Sequence, residues 1–412
     1  MITRATGRNV GFWVVSGLRT RLVGLVLVFS IVAVSALIPS VTAFTRVDAL
    51  TLNAGENHLR SAVVDAAGGY AYVGTETSPG IVVKVRLSDF TRVAGLTLNP
   101  GEDGLGGFSP AAAVDLAAGF AYFGTETSPG IVVKVRLSDF TRVGALTLNP
   151  GEDLLSSAVI DSTGGYAYFG TDTFPGIIVK VRLSDFTRVG ALTLRSGEND
   201  TTSAVLDVAG GYAYFGTDAS PGVVVKVRLS DFTRVGSLTL SPGESYLGPA
   251  VLDAAAGFAY FGTYVSPGVV VKVRLSDFTR VGALTLNPGE NTLDSTVIDS
   301  ASGFAYFGTD TFPGIVVKVR LSDFTRVDAV TLNAGEFGLF STVIDSAAGF
   351  AYFGTDSSPG IIVRVQLGPP LPSLPPPSTD WIPIAAGAVV VLIVAGAIVL
   401  YWRHRRGVSP RQ

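Results

Sequence analysis

The residues with the most chemical potential in this chain are carboxylates that return at fixed intervals. Glu56, Glu102, Glu152, Glu198, Glu244, Glu290 and Glu336 each follow a glycine, three of them at the end of Asn-Pro-Gly-Glu. Calcium takes 6–8 oxygen ligands, so one acid per interval could hold it only as a ring in which several converge. The spaced acidic loop of an EF-hand occurs nowhere in the chain. Ca2+ could be bound in that way, and no cofactor is otherwise expected. A second set, Asp65, Asp115, Asp161, Asp207, Asp253, Asp299 and Asp345, stands just before short turns. Those side chains could accept turn amide hydrogens, and seven together could also attract a cation. Turn-making explains them without any ligand.

Catalytic chemistry finds little to work with. Between residues 44 and 367 the only histidine is His58, and cysteine is absent altogether. No Ser-His-Asp set can be named by spacing, and thiolate chemistry is excluded. The repeated acids are too symmetric to mark an asymmetric acid/base pair. An enzyme is not expected, although a fold alone does not exclude one.

The intervals come from an internal repeat. A Gly-Thr landmark recurs at Gly74-Thr75, Gly124-Thr125, Gly170-Thr171, Gly216-Thr217, Gly262-Thr263, Gly308-Thr309 and Gly354-Thr355, spaced by 46 residues except for a first step of 50. Such a period marks units that cannot bury their apolar faces alone. Each unit holds four strand-like runs, in the first copy A (Ser61 to Val64), B (Tyr70 to Val73), C (Ile81 to Leu87) and D (Thr91 to Leu98). β-Branched and aromatic residues fill them, and Gly, Pro, Asp or Ser separate them. The array opens at Phe44-Thr45-Arg46-Val47, a D run without its A, B and C. It stops at Ile361 to Leu367, a C run without its D. Pairing the orphan D with the last C closes a ring. The expected fold is all-β, a seven-bladed β-propeller of four-stranded antiparallel blades over 44–367.

The flanks predict a compartment. Arginines 4, 8, 19 and 21 precede the apolar run Leu22 to Pro39, and Val41-Thr42-Ala43 offers small residues for cleavage. Residues 1–43 read as a secretory signal peptide, with an uncleaved anchor as the alternative. Residues 368–380 are proline-rich and suit a stiff polyproline II stalk, ~3.1 Å per residue. Residues 381–402 are uncharged and apolar between Trp381 and Trp402, which predicts a C-terminal transmembrane helix. Arg403, Arg405 and Arg406 place the tail, 403–412, on the cytoplasmic side. The expected product is a single-pass type I protein of the cell membrane, its propeller extracellular. Setting aside residues 1–43 and 381–412 removes eight arginines and leaves 22 basic against 33 acidic side chains, a net charge of −11. Nucleic acid is thereby an unsuitable partner.

Most repeated side chains have structural explanations. Lys84 and Arg86 alternate with valines on strand C, and their counterparts return in nearly every copy, which predicts pairing with neighbouring acids. Tyr70 and Tyr72 on strand B predict a packing layer from blade to blade. Variation concentrates in the D–A bridges and the B–C loops, where Tyr264 replaces the usual acid. In a four-stranded meander both loops emerge on one face. That face carries His58, Phe108, Phe174, Tyr246, Tyr264, Phe312, Phe337 and Phe340 as candidate ligand contacts, against simple drift in loops. Asn199-Asp200-Thr201 adds a glycosylation acceptor pattern at Asn199.

The stretch VVDAAGGYAYVGT followed by IVVKVRLSDFTRVAGLTL resembles the YVTN family of β-propeller repeats. The family's signature strand falls on Ala71-Tyr72-Val73-Gly74-Thr75, with Thr in place of the terminal Asn. The resemblance covers 44–367 and implies a surface-exposed adhesion, envelope or recognition module, as in archaeal and bacterial surface proteins. It supplies no catalytic residues. The leading expectation is recognition or adhesion, with an extracellular protein or glycan bound through the variable face. The alternatives are a self-associating envelope component and, behind it, an extracellular enzyme.

Overall fold

The computed structural model describes residues 43–106 and 110–368. The expected signal peptide, stalk, transmembrane helix and tail therefore lie outside the described residues, as does Phe108. Among the described residues the regular structure is strand, β1 to β28, and no helix is long and apolar enough to cross a membrane.

Seven antiparallel sheets of four strands form a β-propeller. Blade 1 consists of β2 (Leu59–Asp65), β3 (Tyr70–Thr75), β4 (Ile81–Arg86) and β5 (Thr91–Thr97), paired in that order. Blade 7 consists of β26 (Leu339–Asp345), β27 (Phe350–Thr355) and β28 (Ile361–Gln366), with β1 (Thr45–Thr51) as its outermost strand. Thr45 pairs with Gln366 and Thr51 with Ile361, so the opening strand does close the last sheet. The four extra residues of the first interval fall before β6 (Ala112–Asp115), which is shortened to 4 residues.

Apolar residues from each adjacent pair of blades form one shared cluster. Val63, Tyr72 and Val82 of blade 1, for example, pack with Ala121, Phe123 and Val133 of blade 2. Val343, Tyr352 and Ile362 of blade 7 pack in the same way with Leu59, Val83 and Val85 of blade 1. Each fully buried Val or Phe stabilises by about 1.5–3 kcal/mol, and here that gain belongs to interfaces rather than to single blades. The Gly of each Gly-Thr pair permits the close approach. A Cβ on Gly74 would lie 2.8 Å from Leu105 Cβ, and one on Gly124 would lie 2.7 Å from Leu155 Cβ. A leucine entering the next blade thus plugs against the B-strand glycine in six of the seven joints, with Thr201 in that place against Gly170, and a larger residue at the glycine would collide.

Two further devices link neighbours. The C–D turn phenylalanine of one blade packs on the strand-B tyrosine of the blade before it, as Phe140 does on Tyr72 at 5.7 Å and Phe90 on Tyr352 at 5.5 Å. Each bridge glutamate is gripped by an arginine of the following blade's strand D. The Arg92 Nε donates to Glu56 Oε2 at 2.8 Å, and Arg142, Arg188, Arg234, Arg280 and Arg326 hold Glu102, Glu152, Glu198, Glu244 and Glu290 likewise. Arg46 holds Glu336 across the seam.

Candidate functional site

On one face of the ring, a single bridge residue ties together the loops of adjacent blades. The His58 N–H donates to the Ser357 carbonyl in blade 7, and the His58 carbonyl accepts from the Glu76 N–H in blade 1. Leu154 stands likewise between Thr127 and Asp172, Asp200 between Thr173 and Asp218, Tyr246 between Ala219 and Tyr264, and Thr292 between Val265 and Asp310. Facing both ways takes a left-handed backbone: φ is 51° at His58, 39° at Asp200, 58° at Tyr246 and 47° at Thr292. Glycine enters that region freely, as Gly104 and Gly338 do here. An L side chain costs about 1–2 kcal/mol there. His58, Leu154, Asp200, Tyr246 and Thr292 accept that strain and place five different side chains at one equivalent point of the mouth, where strain commonly accompanies function.

The first residue of each B–C loop forms the next layer: Glu76, Glu126, Asp172, Asp218, Tyr264, Asp310 and Asp356. Each loop is braced identically in most copies. In blade 1, Thr75 Oγ1 lies 2.7 Å from Thr77 Oγ1, which donates to the Pro79 carbonyl beyond a cis Ser78-Pro79 bond. Asp200 and Asp294 add two carboxylates at the bridge and at the start of strand A. Arg60 of blade 1 stands at the position equivalent to Asp294. Its Nε donates to Glu76 Oε2 at 2.5 Å, its Nη2 lies 3.2 Å from Asp356 Oδ1, and its guanidinium covers the Phe340 ring at 4.0 Å. His58 Nδ1 lies 2.7 Å from the same Asp356 oxygen.

Beside the Arg60–Phe340 pair the mouth opens into a cavity of about 320 Å3, whose lining includes Asp200, Asp218, Tyr264, Asp294, Asp310 and Phe340. A smaller recess of about 120 Å3 adjoins it beside Glu126 and Asp172. Asp294 is only 2% exposed and Asp200 8%. Oδ2 of Asp294 and Oδ1 of Asp200 have no hydrogen-bond partner. Burial, reinforced by Asp310, holds the Asp294 carboxyl well above its usual range. Burial and the charges of Asp172 and Asp218 push Asp200 up to about 8. Burial and Glu76 push Glu126 up to about 7, with Arg60 opposing the shift. Below the mouth the channel is lined by small residues of the A strands, among them Ala62, Ala158, Ser157, Ser203 and Ser295.

No family model and no curated protein matches this chain. Among solved structures it is similar to that of U3-55K, with a TM-score of 0.62 and 9% identity over 78% of this chain and 100% of the other. It is similar also to the WD40 repeats of RRP9, with a TM-score of 0.62 and 10% identity over 79% of this chain and 100% of the other. At that identity the likeness is one of fold, a seven-bladed β-propeller.

The expected contact residues divide by place. Phe174 and Phe312 are 74% and 76% exposed on B–C loops, and Tyr246 is 43% exposed. Phe337 stacks on Phe312 at 4.4 Å, so these two form one surface feature. His58 and Tyr264 lie at the mouth. Phe340 corrects its expectation as an exposed aromatic: it is 6% exposed, because it lies within β26 and beneath Arg60. Asn199 is half-buried beside the buried Thr201.

The proposed cation ring at Glu56, Glu102, Glu152, Glu198, Glu244, Glu290 and Glu336 is also corrected. These carboxylates do not converge, since each is buried against its own arginine and also caps the bridge, as Glu56 Oε2 does for the Asn53 N–H at 2.9 Å. Among the described residues no three His, Asp or Glu side chains are grouped to hold one metal ion. The turn aspartates do accept turn amides, as Asp65 does from the Gly68 N–H at 2.7 Å. The strand-C lysines depart from the expected ion pairing: Lys84 Nζ lies 4.0 Å over the Tyr70 ring, while Arg86 pairs with Asp89 at 2.8 Å. The acid that follows Gly-Thr in six of the seven copies belongs to the mouth but not to the expected contact set. Its recurrence was visible, but only ring closure brings the copies together.

Proposed function

We propose that this chain is a membrane-anchored, extracellular recognition or adhesion propeller that binds a protein through the face bearing the B–C loops and D–A bridges. The observation that carries this reading is the left-handed bridge position. It would be unstrained as glycine in every copy, yet it presents His58, Leu154, Asp200, Tyr246 and Thr292 around an acidic mouth. The flanking apolar segments and the YVTN-like repeat support placement at the cell surface. The exposed Phe174 and the Phe312–Phe337 stack could also engage a glycan, which is the second ligand class for the same face. A binding role needs no catalytic group or cofactor.

The test displays the full chain on cells and screens surface proteins and glycans with and without calcium. A variant with Leu154, Asp200, Tyr246 and Thr292 changed to glycine should keep its β-sheet circular dichroism and lose capture. Undiminished capture by that variant would refute the reading. Ordered self-association of the purified chain without a ligand would instead favour an envelope component.

A further inference from the structure

Seen from the channel axis, the mouth has two unlike halves. On one side the acids already hold a cation: Arg60 is 9% exposed, bridges Glu76 and Asp356, and rests on Phe340. Beside it Asp200, Asp218, Asp294 and Asp310 line a cavity bounded by the Tyr264 ring and by Phe340, the ring on which Arg60 rests. Among the described residues no Lys or Arg lines that cavity. Asp294 stands where Arg60 stands in blade 1, and both it and Asp200 keep an unpartnered oxygen while more than nine-tenths buried. Arg60 offsets the charge of Asp294 and Asp310 only in part. Buried carboxylates short of counter-charge are costly, so a cation seated among them recovers a large interaction.

We propose that this cavity is a receptor for one organic cation, a guanidinium or alkylammonium group. It would be bound by Asp200 and Asp294, with Asp218 and Asp310 as outer carboxylates and Tyr264 as the flanking face. This names the ligand chemistry within the recognition reading and rests on it. The resident Arg60 shows how a guanidinium fits over a ring between two B–C loop acids, the repeat equivalents of Asp218 and Asp310. The carboxylates are spread around a space of about 320 Å3 rather than gathered at a point. That suits a planar or elongated organic cation better than a metal ion, whose oxygen ligands must lie within about 2.6 Å. A protruding arginine or lysine of a partner protein and a free polyamine share this chemistry.

The experiment uses the full chain in nanodiscs at pH 8 and a fluorescent hexapeptide, Gly-Ser-Gly-Arg-Gly-Ser, capped at both ends. Citrulline replaces arginine in a control peptide, and spermidine and Ca2+ serve as competitors. The arginine peptide is expected to bind at least ten-fold more tightly than the citrulline peptide. Asp294→Asn and Asp200→Asn should each weaken it ten-fold or more while leaving the circular dichroism unchanged. Binding by spermidine in place of the peptide would support the same chemistry with a free cation as its source. Equal binding of arginine and citrulline peptides, no cation binding up to 10 mM, or displacement-free binding of Ca2+ alone would overturn the proposal. Capture of a surface protein that survives Asp294→Asn would leave the recognition face standing while this ligand assignment falls.

Discussion

The Phe44 ring lies 5.7 Å from the Tyr306 ring, in the same tilted contact that Phe140 makes with Tyr72. Phe44 does not sit in a C–D turn, because the strand C of its blade is β28, far on in the chain. It nevertheless occupies the turn phenylalanine's place at the interface between blades 6 and 7. The seam therefore carries the same aromatic staple as interior joints, followed by the arginine clamp of Arg46 on Glu336.

Phe44→Ala should consequently weaken closure. Phe44 is half-buried, so the expected loss is about 1–3 kcal/mol, below the ~3–5 kcal/mol typical of a fully buried phenylalanine. Phe90→Ala, at a residue only 6% exposed, should cost more. Urea unfolding of the two variants measures the difference. No loss on Phe44→Ala would mean that strand pairing alone holds the ring shut.

The clamps predict equivalence around the ring. The Glu336 and Glu102 side chains are both 6% exposed and both bound by an arginine. Replacing either by Gln leaves a partly exposed guanidinium short of its counter-charge, at a cost of about 1–3 kcal/mol. Glu336→Gln and Glu102→Gln should therefore shift the unfolding midpoint similarly. A much smaller shift at Glu336 would show that the seam pair is slack.

The mouth should make the free protein more stable in mild acid than in mild base. Asp200 and Glu126 titrate higher in the folded protein, near 8 and 7, than an unfolded carboxylate does near 4. Their contribution is intact below the unfolded value and is lost as pH rises through the folded values. Thermal midpoints should accordingly fall between pH 5.5 and 8.5, and Asp200→Asn should flatten that fall. A midpoint that rises over this window would show that the carboxylates are hydrated or paired.

Much of this arrangement can be read from the chain, and the limits are physical. Phe44-Thr45-Arg46-Val47 repeats Phe90-Thr91-Arg92-Val93, so closure and even the interface roles of Phe44 and Arg46 are implicit in one string. The Glu56–Arg92 clamp is not, because Glu56 lies in a bridge and Arg92 on the outermost strand of the blade that follows, and each repeats with the same period as every other residue. Phase alone cannot pair them. Phe340 looks like a loop aromatic until β26 is seen to begin at Leu339, which turns its ring under Arg60. The acids after Gly-Thr are spread through the whole array, and their mutual repulsion exists only once seven B–C loops share one mouth.

Arg60 offers the sharpest test of that repulsion. It is buried between Glu76, Asp356 and Phe340, and its charge also lowers the pKa values of Glu126, Asp294 and Asp310. Arg60→Met preserves much of the side-chain bulk but leaves these acids without a counter-charge, a loss of about 3–5 kcal/mol at pH 8. At pH 5.5 more of the carboxylates carry protons, so the loss should shrink markedly. Methylguanidinium at 10 mM should restore part of the thermal midpoint of Arg60→Met at pH 8, and Arg60→Lys should fall between the two because an ammonium cannot span both acids as a planar fork does. Equal losses at the two pH values, with no rescue, would mean that Arg60 acts only by packing on Phe340, and the electrostatic account of the mouth would fail with it.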